Sequence, residues 1–284
     1  MLTLLKGADV AAHLNEESVK ITEDLKSKGK EACLAILRVG EKDSDLSYER
    51  GAVKKAALCN VSVRSVVLPE DVSAEEFYKT LEGLNKDPEV SGILMLRPLP
   101  KTIDEEKARK MLAPEKDVDG CTDGSLCKVF TNQGEGFAPC TALAAVEILD
   151  YYNIPVSGKK VCVIGRSLVI GRPAAMLLLH KNATVTVCHS KSEDIKEITR
   201  SSDIIIAASG QMESLDSSYF KNGQTIIDVG ISWNQSKGKL CGDVDFDTLS
   251  EMDLNITPVP GGVGAVTTSV LINNVCKAAQ YQNI

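Results

Sequence analysis

Short apolar runs alternate with stretches whose apolar positions recur at helical spacing along almost the whole chain. That alternation predicts an α/β fold built on parallel strands. In the first half, residues 32–39 (ACLAILRV) predict a buried strand, 44–60 a helix, 61–68 a strand and 74–86 a helix. Ser73 and Glu76 have the spacing of a capping box at the start of that last helix. Residues 92–96 predict another strand, which runs into Arg97-Pro98-Leu99-Pro100. Proline cannot donate to a ladder, so the chain must leave the sheet there. Strand C-terminal ends are where α/β proteins place their sites.

The second half predicts a helix over 141–152, a strand over 160–164, a glycine-bounded turn over 165–171 and a helix over 173–181. Strands follow at 184–188, 203–207 and 225–229, and a final helix at 267–279. Two domains are expected, 1–139 and 140–266, with 267–284 packing back on the first. The polar stretch 132–136 is the expected hinge.

Composition narrows the function classes. The 284 residues carry 32 Lys plus Arg against 39 Asp plus Glu, a net charge of -7. An acidic chain lacks the basic surface that phosphate backbones need, so nucleic acid is not an expected partner. No apolar run reaches the roughly 18 residues of a membrane span. Nine scattered cysteines with no CxxC, and three histidines, leave a metal site little to build on. Reduced, packed cysteines predict a cytoplasmic protein.

The turn Gly165-Arg166-Ser167-Leu168-Val169-Ile170-Gly171-Arg172-Pro173 lies between a strand and a helix, the context a dinucleotide-binding turn requires. Its glycine spacing is not G-x-G-x-x-G, and no Walker pattern is present. The next strand ends Cys188-His189-Ser190-Lys191-Ser192, where an NAD-type fold usually places a carboxylate for the ribose 2′-hydroxyl. Hydroxyls, an imidazole and an ammonium suit a 2′-phosphate better. NADP is the expected cofactor.

With that turn, three further segments resemble the methylenetetrahydrofolate dehydrogenase/cyclohydrolase family of one-carbon metabolism. They are Lys116-Asp117-Val118-Asp119-Gly120, then Pro258-Val259-Pro260-Gly261-Gly262-Val263-Gly264 followed by Thr267-Thr268, and, in part, 92–100. The resemblance implies a folate-binding catalytic domain and a Rossmann-like NADP domain with a cleft between them, and a homodimer. It implies NADP-dependent oxidation of 5,10-methylenetetrahydrofolate, then hydrolysis to 10-formyltetrahydrofolate, a one-carbon donor for purine biosynthesis. By motif, Tyr48 would stack on the folate and Asp119 would bond the pterin. Pro260, Gly261, Gly262 and Val263 would line the site beside the nicotinamide. Gly165, Arg166, Ser167, Ser190 and Ile231 would hold the cofactor.

The chain departs from the family at two positions. The lysine one helical turn after the tyrosine is Ala52, and the glutamine of the fourth segment is Leu96. Lys54 and Lys55 are the nearest stand-ins for the base. Lys55 lies on Tyr48's face, about 10 Å along the axis. Arg97, beside Leu96, either meets the folate's glutamate tail or points to solvent. Hydride loss needs positioning and no general base, whereas hydrolysis draws on one. A low ratio of hydrolysis to oxidation is therefore expected. A dehydrogenase with little hydrolase activity and a non-catalytic folate-binding protein stay open as alternatives.

Overall fold

The computed structural model describes residues 1–282. The first elements are β1 (Leu2–Leu4), α1 (Gly7–Ser27), β2 (Cys33–Val39), α2 (Asp43–Leu58), β3 (Ser62–Leu68), α3 (Ala74–Lys86) and β4 (Gly92–Met95). Next come α4 (Glu105–Met111), α5 (Asp123–Thr131), α6 (Cys140–Tyr151), β5 (Lys160–Ile164), α7 (Gly171–His180) and β6 (Thr184–Cys188). The chain closes with α8 (Ile195–Ser201), β7 (Ile204–Ala207), β8 (Thr225–Asp228), β9 (Ser232–Asn234), β10 (Lys239–Cys241), β11 (Leu254–Ile256) and α9 (Val263–Tyr281). Two compact units result: residues 12–140 with the chain from 268 onward, and residues 1–11 with 141–267.

The unit holding 12–140 is built on a parallel sheet in the order β3-β2-β4. Every residue of β2 is buried, as a central parallel strand covered on both faces requires. Phe77, Leu81 and Leu84 repeat at helical spacing along α3 and pack on Ala35, Leu37, Ile93 and Met95. Burying Phe77 alone contributes about 1.5–3 kcal/mol. The Ser73 hydroxyl accepts the Glu76 N–H at 3.1 Å, capping the helix where the sequence predicts it.

The long helix α1 escapes the hydrophobic pattern for a physical reason. Its inward stripe, Val10, Leu14, Ser18, Thr22 and Leu25, is interrupted by two buried hydroxyls. Ser18 satisfies its hydroxyl on the Leu14 carbonyl at 2.8 Å, and Thr22 on Val19 at 3.0 Å. The expected hinge at 132–136 is instead a loop tied to α5. Lys128 Nζ donates to the Gly136 carbonyl at 2.8 Å, and the two units divide at Cys140/Thr141.

The other unit carries a six-stranded parallel sheet, β1-β11-β8-β7-β5-β6, with a separate hairpin of β9 and β10. Ile164, Ile205, Ala207, Ile226 and Ile256 form its core. The first eleven residues, expected in the first domain, belong to this unit instead. Leu2 and Leu4 of β1 pair in register with Leu254 and Ile256 of β11, and β1 is too short for its pattern to reveal its sheet. Strand order reverses at β5, which has β6 on one side and β7 on the other. Such a switch point opens a crevice at the strand C-termini. Among the described residues, no helix is long and apolar enough to cross a membrane.

Candidate active site

The crevice at the switch point is a cavity of about 440 Å³, lined in part by Gly165, Arg166, His189, Ser190, Ser209 and Gln211. Among the described residues, no carboxylate lines it. Gly165 has φ +126°, and a Cβ there would stand 2.1 Å from the Ala208 carbonyl oxygen. A Cβ on Gly171 would meet the Gly165 carbonyl oxygen at 2.1 Å. Only glycine lets the turn fold back this tightly. Ser167 closes it, its hydroxyl accepting the Ile170 N–H at 3.1 Å. The His189–Ser192 loop is likewise self-bonded: Ser192 Oγ accepts the His189 N–H at 3.0 Å, and His189 Nδ1 accepts the Lys191 N–H at 3.1 Å. Of the five residues expected to hold the cofactor, Gly165, Arg166 and Ser190 line this cavity. Ser167 braces the turn, and Ile231 follows β8 as an exposed side chain.

In the same unit, the 258–264 loop is set by close backbone contact. Gly7 N–H donates to the Gly261 carbonyl at 2.8 Å, and a Cβ on Gly7 would lie 2.1 Å from the Gly262 oxygen. Gly261 has φ +100°. Pro260, Gly261, Gly262 and Val263 are thus held as a rigid turn at the start of α9.

The second group of candidates lies in the unit of 12–140. Tyr48 on α2, Arg97 after β4, Asp119 and Cys140 at the start of α6 form one electrostatic cluster. Burial pushes the Tyr48 hydroxyl well above its usual value, and the Asp119 charge adds to that. Burial raises the Asp119 carboxyl to about 6; the Arg97 guanidinium opposes the rise and Asp117 reinforces it. Burial also drives both neighbouring thiols, Cys121 and Cys140, strongly upward, so they remain protonated. Asp119 is therefore the group in the cluster whose charge changes near neutrality.

The turn carrying Asp119 is formed by other residues. Asp117 is buried and accepts the Cys121 and Thr122 N–H groups at 3.0 and 2.7 Å. Lys116 donates its buried ammonium to the Leu84 and Asp87 carbonyls at 3.2 and 2.6 Å. Gly120 has φ +69°, where a Cβ would meet Pro139 N at 2.4 Å. The Asp119 carboxyl makes none of these turn bonds, and its charge acts on Tyr48 as that of Arg97 acts on it.

Arg97 neither projects to solvent nor stands alone. Its guanidinium pairs with Glu105 at 3.6 Å, while the other Glu105 oxygen accepts the Leu99 N–H at 3.1 Å. Next to Tyr48 on α2, Glu49 anchors the helix: it forms a buried ion pair with Arg38 at 2.7 Å and accepts the Ser65 hydroxyl. Nothing in the sequence pattern marked that anchor, because a one-dimensional pattern does not pair Arg38 of a strand with Glu49 of the following helix.

Ala52 and Leu96 are both buried beside this cluster's elements. The proposed stand-ins are corrected by the structure. Lys54 is exposed and lines a surface groove with Arg38, Glu49, Arg50 and Val53. Lys55 bears on the Cys59 thiol, not on Tyr48 or Asp119. Helical rotation explains both, since position 54 is turned about 120° from Tyr48 and position 55 lies two turns away. One trio of carboxylates comes close to metal-ligand spacing among the described residues, Glu213, Asp245 and Asp247. Lys237 fills it, with its ammonium 2.5 Å from Glu213 and 2.7 Å from Asp247.

Comparison with known proteins matches both units. The tetrahydrofolate dehydrogenase/cyclohydrolase catalytic-domain profile covers residues 5–119, and the family's NAD(P)-binding-domain profile covers 139–283. The chain is 44% identical to the bifunctional protein FolD of Clostridioides difficile, over 99% of this chain and 97% of that one. It is 45% identical to the FolD of Carboxydothermus hydrogenoformans, covering 100% and 99%. The crystal structure of the bifunctional FolD dehydrogenase/cyclohydrolase from Campylobacter jejuni superposes with a TM-score of 0.94 at 38% identity, over 99% of each chain. The Trypanosoma brucei enzyme, complexed with NADP and an inhibitor, gives 0.90 at 34% identity, over 99% and 98%. These full-length relatives are named as bifunctional, so the weakened hydrolysis expected from Ala52 and Leu96 is not borne out.

Proposed function

This chain belongs to the tetrahydrofolate dehydrogenase/cyclohydrolase family, and on that premise we propose that it oxidises 5,10-methylenetetrahydrofolate with NADP and hydrolyses the methenyl product to 10-formyltetrahydrofolate. The observation that carries this reading is the glycine-built cavity at the β5 switch point, whose described lining holds no carboxylate. Its backbone admits a diphosphate at the start of α7, where helix N–H groups favour anions. Arg166, His189, Ser190 and Lys191 offer a cation, an imidazole, a hydroxyl and an ammonium to a 2′-phosphate. Bound NADP supplies the hydride acceptor. Ser167 and Ile231 complete the cofactor contacts, and Pro260, Gly261, Gly262 and Val263 shape the nicotinamide end.

Loss of hydride leaves a cation shared by two folate nitrogens, so the protein's task in that step is positioning. Tyr48 stacks on the folate and Asp119 accepts from the pterin. Hydrolysis needs a proton moved from water, and with alanine at position 52 that task falls to the Tyr48–Asp119–Arg97 cluster. Asp119 titrates near 6 and can take a proton at neutral pH, while Arg97 favours its charged form. A non-catalytic folate binder would have no use for the cofactor cavity.

The protein also acts as a homodimer in this reading, joined through the nucleotide-binding unit. Trp233 on the β9–β10 hairpin and Phe246 beyond it are exposed apolar groups suited to such a contact. A cytoplasmic location suits its soluble substrate, and no nucleic acid is involved. Mixing the protein with methylenetetrahydrofolate and NADP should raise nicotinamide absorbance, and added methenyltetrahydrofolate should decay faster than in buffer. Absence of NADP reduction would defeat the assignment. Sedimentation of wild type and Trp233→Glu tests the dimer, which that charge should dissociate.

A further inference from the structure

Outside the lining of the cofactor cavity lie two buried carboxylates that the mechanism above does not use, Asp228 at the end of β8 and Asp243 after β10. Asp228 is saturated with backbone donors. Its Oδ1 accepts the Gly230 and Asp243 N–H groups, each at 3.0 Å, and its Oδ2 accepts the Val244 N–H at 3.0 Å. Its task is to fix the 242–244 segment against the sheet. Gly242 permits this, because a Cβ there would collide with Asp228 Oδ2.

Asp243 is bonded differently. One oxygen, Oδ2, accepts the Ser209 N–H at 2.5 Å, the Ser209 hydroxyl at 2.9 Å and the Gly210 N–H at 3.0 Å. The other, Oδ1, is buried with no hydrogen-bond partner among the described residues. Leaving a carboxylate oxygen unserved is costly, so a fold optimised for stability alone would not favour it. What the residue organises is the loop after β7. Ser209 Oγ also accepts the Gln211 N–H at 3.1 Å, and Leu215 N–H donates to the Asp243 carbonyl at 3.0 Å. Ser209, Gln211, Ser214 and Leu215 all line the cofactor cavity, together with Gly165 and Ser190. One wall of the cavity therefore hangs on Asp243.

We propose that Asp243 is a positioning residue for the nicotinamide cofactor, acting through Ser209 and Gly210 and never touching the cofactor itself. The inference rests on the reading of this cavity as the NADP site. It separates cofactor affinity from chemistry, because the loop shapes the wall and bears no reacting group.

The test uses Asp243→Ala, Asp243→Asn and Ser209→Ala in the full chain. The KM for NADP should rise about tenfold or more in Asp243→Ala and about three- to fivefold in Asp243→Asn, which keeps one acceptor oxygen. Ser209→Ala, losing the hydroxyl links, should show a rise of about two- to threefold. In both Asp243 variants kcat should stay within about threefold, and methenyl hydrolysis, which needs no NADP, within about twofold of wild type. An unchanged KM overturns the proposal, as does a parallel fall in hydrolysis, which would mark Asp243 as merely structural. Should Asp243→Ala fail to fold, the other two variants decide in the same way. Calorimetric Kd for NADP on the same proteins keeps the two readings apart. Wild type that binds NADP without oxidising the folate would sink the activity assignment, and the Kd series would still judge Asp243. Wild type that binds no NADP overturns both.

Discussion

The two groups of candidate residues are made in opposite ways. The cofactor cavity is shaped by backbone: two glycines without room for a Cβ, a self-bonded loop and a helix start. The cluster proposed for the folate is made of side chains that shift one another's protonation, Tyr48, Arg97, Asp119 and Cys140. A backbone site tolerates exchange of its exposed side chains but no added atom at its turns. A side-chain site keeps its shape when a residue is exchanged and changes its chemistry instead. Alanine and leucine at positions 52 and 96 illustrate the second case: both are buried in the unit that carries Asp119, and in the proposed reading the acid–base work falls to Asp119.

Asp119→Asn probes this contrast most severely. It keeps shape and removes the ionisable group, so hydrolysis should fall by about 10²–10⁴-fold, the range of a lost general base. In wild type, hydrolysis should decline as pH drops through about 6, and the variant's residual rate should lack that limb. Stability should move the other way. A carboxyl whose folded value, about 6, exceeds its ordinary 3.8 weakens the fold as pH rises from about 4 to about 6. Asp119→Asn should thus be more stable than wild type at pH 7 by roughly 1–2 kcal/mol, allowing for partial solvent contact. Loss of hydrolysis without the pH change would refute the base role.

Glu49→Ala attacks the anchor beneath the cluster. It leaves Arg38 buried and unpaired, which should lower stability by about 3–5 kcal/mol in chemical denaturation. A loss under 1 kcal/mol would show that α2, and with it Tyr48, is held by packing alone. Ser190→Asp is the mildest change, adding an exposed charge at the cofactor cavity. NADP should bind about tenfold more weakly by charge repulsion, with NAD little affected, in kinetics with both cofactors. Equal effects on both would remove Ser190 from the 2′-phosphate site.

Legibility in the sequence follows the same division. The glycine turn, the Pro-Gly-Gly loop and β2 through β8 were readable because glycine, proline and apolar runs carry backbone meaning wherever they stand. Asp119 was readable only through its motif, and its partners Arg97 and Cys140 are remote in sequence. Arg38–Glu49 and Asp228–Asp243 were not readable, since a buried charge and a surface charge look alike in one dimension. Helix α1 was lost because Ser18 and Thr22 stand in its buried stripe. Strands β1, β9, β10 and β11 have three residues each, too few to show a period.

The most direct test of the proposed backbone-built cofactor site and side-chain-built hydrolytic site is Gly165→Ala with both activities measured on one preparation. The added Cβ would have to displace the Ala208 carbonyl, 2.1 Å away, at a backbone angle alanine rarely adopts. NADP-dependent oxidation should fall by at least about 100-fold, while methenyl hydrolysis stays within about twofold of wild type. Unimpaired oxidation, or an equal loss of both activities in a folded protein, would contradict the account.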